Sequence, residues 1–131
     1  MSSDRTTKEH FKYFKSKVIK WLEVFGLYDW KVFVEHKEDD EDTLASCMPD
    51  LLNRIAVINL NTRWANLEVD KESLNRVAFE EVMHIVLARL ESFAEKGVPL
   101  DQIREEIHSI IRRFESLLFS LGVSNGTNHN N

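Results

Sequence analysis

A chain of 131 residues with 43% hydrophobic and 30% charged residues is long enough for one domain around a single core, and its make-up is that of an ordinary globular protein. The net charge of −5 comes without any block of Lys or Arg, which argues against nucleic acid and anionic membranes as partners. No apolar run is long enough to span a bilayer, the first residues carry no signal-like region, and Cys47 is the only cysteine, so a cytoplasmic protein without an intramolecular disulfide is expected.

Residues 1–6 are a polar lead-in. Thr6 or Thr7 can cap a helix that runs to about Phe25, with Gly26 as its C′ residue. Phe11, Phe14, Val18, Trp21, Leu22 and Phe25 recur at helical spacing and predict one packing face. Lysines 8, 12, 15, 17 and 20 are spread along the same helix as a solvated face would be.

From Leu27 to His36 the period changes to two, with Trp30, Val32 and Val34 on one side and Lys31, Phe33 and Glu35 on the other. The acidic run Lys37-Glu-Asp-Asp-Glu-Asp42 lacks the glycine and terminal glutamate of a calcium loop, so a solvated hairpin loop is expected. A second strand follows over Thr43–Met48, ended by Pro49. A third covers Ile55–Asn61, apolar on both sides and therefore covered at least partly on both. Cys47, in the second strand, reads as a small buried hydrophobe. Trp64 either pins the next loop or lies at a cleft rim.

Asp70 is the expected N-cap of a helix over about Lys71–Lys96, closed by Gly97 and Pro99. Asp101 is expected to cap a last helix that runs to about Leu121 on the stripe Ile103, Ile107, Ile110, Ile111, Phe114, Leu117, Leu118 and Leu121. The whole is α+β: an N-terminal helix, a small three-stranded antiparallel sheet, a buried central helix and a C-terminal helix. It forms one domain over residues 1–121, with a disordered tail at 122–131.

The central helix poses the chemical question. Its apolar run Arg76-Val-Ala-Phe-Glu-Glu-Val-Met-His-Ile-Val-Leu-Ala-Arg-Leu90 holds Glu80, Glu81 and His84 at its middle, and an unpartnered buried polar group is costly. Glu80 and His84, one turn apart, can converge on one point, and Glu81 projects beside it. The metalloprotease pattern H-E-x-x-H uses this geometry, with two ligands at i and i+4 and the glutamate between them as general base. In Glu80-Glu81-Val82-Met83-His84 only the first histidine is replaced. Glutamate can bind zinc, but its added negative charge should weaken catalysis.

With Asp29-Trp-Lys-Val-Phe-Val34, Asn53-Arg-Ile-Ala-Val-Ile-Asn-Leu-Asn61 and Glu81-Val-Met-His-Ile-Val-Leu-Ala-Arg-Leu90 in this order, the chain resembles small phage and prophage zincin-like proteins over roughly residues 27–115. The resemblance implies a zincin-like fold and a metallopeptidase-like hydrolase acting on a peptide or protein. It implies zinc held by Glu80, His84 and a residue of the following helix, and Glu81 as the catalytic base. Phase on that helix favours Glu106 as the third ligand, because Glu105 and His108 point away from its stripe.

Two other readings compete. In one the protein is a non-catalytic binding or adaptor protein whose Glu-Glu-x-x-His cluster is an ion-pair network. Glu80 would then pair with Arg76 and Glu81 with an arginine such as Arg113, while Trp64 or Tyr28 makes partner contacts. In the other, Glu81-x-x-His84 and Glu105-x-x-His108 are halves of a di-iron site, which also needs two further glutamate-bearing helices. The oligomeric state is open from the sequence.

Overall fold

The computed structural model describes residues 5–65 and 68–130, with side chains described as far as Phe119. The chain forms two compact units, Met1–Ile85 and Val86–Asn131.

In the first unit, α1 (Lys8–Val24) begins at Thr7. The Thr7 hydroxyl accepts from the His10 N–H at 3.1 Å, and His10 Nδ1 accepts from the Thr7 N–H at 3.0 Å. This is a capping box in which histidine stands where Glu or Gln is usual. Gly26 takes φ +66° just beyond the helix, the left-handed conformation that glycine adopts without steric cost. Phe14 and Val18 bury the inner face completely.

The sheet comprises β1 (Lys31–Lys37), β2 (Ala45–Asp50) and β3 (Ile55–Asn61) in the order β1-β3-β2. β3 runs parallel to β1 and antiparallel to β2, so the sheet is mixed and not all-antiparallel as expected. The reason lies in residues 38–44. Instead of turning back beside β1 as a hairpin, the chain crosses the end of β3 and returns along its far side. Backbone groups in such a crossing need partners, and β3 supplies them. Asn59 Oδ1 accepts from the Lys37 N–H at 2.9 Å and its Nδ2 donates to the Lys37 carbonyl at 3.1 Å. Asn61 Oδ1 accepts from Asp39 N–H and Arg63 N–H, each at 3.1 Å, while Nδ2 donates to the carbonyls of Asp40 and Thr43 at 2.9 and 2.6 Å. Trp64, fully buried, donates its indole N–H to the Leu44 carbonyl at 3.0 Å, so it pins the loop and lines no cleft rim. Pro49 lies within β2 and does not end it, which an edge strand tolerates because its outer N–H side has no ladder to serve.

Register places Val32, Val34 and His36 beside Ala56, Ile58 and Leu60, and these beside Pro49, Cys47 and Ala45. This face is the covered one, with Ala56, Ile58 and Leu60 shut off from solvent. The opposite face carries Phe33, Val57 and Met48, of which Phe33 and Met48 are exposed. An N-terminal strap closes the β1 end: the Thr6 N–H donates to the Thr62 carbonyl, its hydroxyl to the Asn61 carbonyl, and the same oxygen lies 2.7 Å from His36 Nε2.

Asp70 caps α2 (Lys71–Val86), its Oδ1 accepting from the Ser73 N–H at 2.8 Å. Trp21 ties α1 to α2 through its indole N–H on Asn75 Oδ1 at 2.9 Å and an edge contact with Phe79, ring centroids 5.1 Å apart. The single helix expected over 71–96 is instead two, because Leu87 takes φ −92°, ψ 1° and starts α3 (Ala88–Lys96) anew. In this second unit Gly97 closes α3 at φ +64°. Then α4 spans Leu100–Asn130. The Pro99 carbonyl receives the N–H groups of Gln102 and Ile103, and Asp101, expected as the cap, lies inside the first turn with its Oδ1 accepting from the Gln102 N–H at 3.0 Å. The tail expected to be disordered, 122–131, lies outside the residues with described side chains. No described helix is long and apolar enough to cross a membrane.

Candidate metal centre on α2

The inner line of α2 is Leu74, Val77, Ala78, Val82 and Ile85, all buried. At 3.6 residues per turn, Leu74, Ala78, Glu81 and Ile85 fall on one stripe. A carboxyl thus occupies a position where the helix otherwise places aliphatic side chains. Glu81 is only 7% exposed. Glu80 and His84, by contrast, are both exposed. The expectation of a helix buried on most sides is therefore corrected. α2 is amphipathic, and of its three central polar groups the one inside is the intended base.

Burial pushes the Glu81 carboxyl above its ordinary range of protonation, with the Glu80 charge adding to the rise and His84 opposing it. Across from it on β2, the Cys47 thiol is pushed up to about 12, chiefly by burial and then by the Glu81 charge. The Glu81 charge on α2 thus reaches the Cys47 thiol on β2. Cys47, expected as a small buried hydrophobe, is half-buried in β2, and the nearby carboxyl was not legible. The register that aims it at the helix side depends on the crossing of β3, which no local pattern shows.

The ion-pair network also differs from expectation. Among the described residues Arg76 and Glu80 form no ion pair, although they are one turn apart. Glu80 instead borders a shallow groove of about 310 Å³ with Trp21, Asn75, Arg76 and Phe79. No arginine figures among the charges that act on Glu81.

Glu106 lies in the second unit, on α4, half-buried, with its Oε1 3.7 Å from Arg89 Nε of α3. Glu105 and His108 are exposed on another side of α4, beside Asp101, Arg104 and Arg112. Catalytic zinc sites use three protein ligands. The α2 pair provides two donors, and among the described residues no group of three or more His, Cys, Asp or Glu side chains is gathered as a metal would need. No family model, no curated protein and no solved structure matches this chain.

Proposed function

We propose that α2 carries a divalent-cation site of metallopeptidase type, with zinc as the fitting ion. Glu80 and His84 are its ligands and Glu81 is the group that holds or gives up a proton. The protein is then metallopeptidase-like, acting on or holding a peptide or protein, with peptidase activity weakened or lost through glutamate at position 80.

One observation carries this reading: a carboxyl stands in the aliphatic line of α2, its protonation favoured by burial and opposed by His84, and beside it Glu80 and His84 are two exposed donors one turn apart. A carboxyl set in an aliphatic line is a stability cost that packing alone would remove by substitution with Leu. A cation on Glu80 and His84 would add positive charge beside it and favour the ionised form of Glu81. The chemistry such an ion contributes is polarisation of a substrate carbonyl. The chain's own part is to place Glu81 beside it, with the sheet behind keeping water from the carboxyl's inner side.

Elemental analysis of protein purified without added metal tests this, with about one zinc per chain expected. His84→Ala and Glu80→Ala should each abolish it, Glu81→Gln should retain it while removing any hydrolysis of a peptide substrate, and Glu106→Ala reads whether that residue contributes. A metal-free protein that takes up no zinc on titration overturns the proposal. The competing reading, a non-catalytic adaptor with an ion-pair network, predicts that outcome for the wild type and for every variant.

A further inference from the structure

On α4 the apolar stripe predicted from the sequence splits in two. Ile103, Ile110, Phe114 and Leu117 are buried or half-buried, on the side where Glu106 meets Arg89 of α3. Beside them, Leu100, Ile107, Ile111 and Leu118 are 59%, 40%, 48% and 62% exposed. These four fall within roughly 20° of one line along the helix and extend about 27 Å. Single exposed aliphatics are ordinary, but a straight seam of four on one helix marks an interaction surface.

The seam's charges indicate what covers it. Arg104 and Glu115 both flank it on the same side, about 40–60° from the line; both are exposed and neither is in an ion pair among the described residues. The other flank is apolar, with Ile103 and Phe114. When two helices pack antiparallel, like flanks face each other; when parallel, opposite flanks do. The apolar positions are symmetric under reversal about Ser109, since Leu100 and Leu118 are equally far from it on either side, and so are Ile107 and Ile111. An antiparallel second copy would set Leu100 against the other copy's Leu118, and Ile107 against its Ile111. The same register brings Arg104 opposite the other copy's Glu115, twice by symmetry. A parallel copy would instead press Arg104 and Glu115 onto Ile103 and Phe114.

We propose that α4 is the interface of an antiparallel homodimer, with Leu100, Ile107, Ile111 and Leu118 as its seam and two reciprocal Arg104–Glu115 pairs fixing its direction. The contact is isologous, as a two-fold dimer requires. It is independent of the α2 site.

Sedimentation equilibrium or light scattering on the full chain over a range of micromolar concentrations reads this directly. The expected mass is twice the 15.4 kDa of one chain. Ile111→Asp places a carboxylate in the seam and is expected to raise the dissociation constant at least about a hundredfold. Arg104→Glu and Glu115→Arg each turn two attractions into repulsions and should weaken the dimer about tenfold. The double variant, or an equimolar mixture of the two single variants, should recover most of the loss, because either restores opposite charges across the seam. Circular dichroism of each variant confirms that the helices are retained. A chain that is monomeric at every concentration, or a dimer indifferent to Ile111→Asp and to the charge reversals, overturns the proposal. So does a dimer that the double variant fails to restore.

Discussion

Cys47, on β2, is less willing to ionise chiefly because it is buried and then because of the Glu81 charge on α2. For cysteine the consequence is reactivity, because the thiolate is the nucleophile. With the thiol moved from 9.0 to about 12, the folded protein should react with a disulfide reagent such as DTNB on the order of 10³ times more slowly than the denatured chain. Glu81→Gln removes the nearby negative charge and should speed the reaction of the folded protein, while leaving the denatured rate alone. Equal rates for folded and denatured chains would show that Cys47 is not held against the helix as described. At this scale the sequence was informative in part. The stripe Leu74, Ala78, Glu81, Ile85 can be counted from spacing alone, yet the run around it is so apolar that Glu80 and His84 also looked interior. Which of three adjacent polar groups turns inward was decided by where the sheet lies, and spacing does not say that.

Among the elements, β3 does more than form the middle of the sheet. Its apolar positions Ala56, Ile58 and Leu60 fill the core, and its last polar ones, Asn59 and Asn61, carry the crossing from β1 to β2. Asn61 uses both amide hydrogens and both lone pairs of its carbonyl oxygen on four backbone groups. That is the full capacity of an asparagine side chain. Asn61→Ala leaves those groups to find water in a cramped loop and should cost about 2–3 kcal/mol by urea denaturation. Asn61→Asp should cost more, since a carboxylate would aim acceptors at the carbonyls of Asp40 and Thr43. An ordering of Asp less damaging than Ala would contradict this account of the crossing. The strands themselves were readable from alternation and from the loop residues between them. Their order was not, because a six-residue acidic run is equally compatible with a hairpin and with a crossing. The clue lay in two asparagines, Asn59 and Asn61, that read only as polar positions at the end of the third strand. The break at Leu87 was hidden for a similar reason: no Gly or Pro marks it, and the apolar period continues through it.

For the molecule as a whole, folding stability integrates every shifted group, and the groups here pull in different pH ranges. His36 stacks on Phe11 with ring centroids 5.0 Å apart and planes 4° from parallel, and its Nε2 meets the Thr6 hydroxyl. Because that hydroxyl donates to the Asn61 carbonyl, the imidazole must donate through Nε2. Burial, and then the nearby His10, hold its pKa below the ordinary 6.5. A histidine lowered in the folded state binds fewer protons there than in the unfolded chain. Its contribution is therefore complete above 6.5 and is lost as pH falls through the folded value. Asp50 and Asp70, held below 3.8 by the N–H groups they accept from, act in the same direction but only in stronger acid. Glu81 acts oppositely: raised above 4.5, it favours the fold when protonated and costs stability as pH rises through its folded value. The wild-type profile thus mixes a histidine gain and a glutamate loss of opposite sign, and only a difference isolates either one. His36→Gln retains a donor for the Thr6 hydroxyl but cannot titrate. Melting temperatures measured across mildly acidic to neutral pH should show wild type losing more than His36→Gln as pH drops below 6.5, with the gap closing above it and becoming constant in strong acid. Parallel curves would mean that His36 titrates alike in both states, and that the strap of Thr6, Phe11 and His36 does not hold its ring out of water.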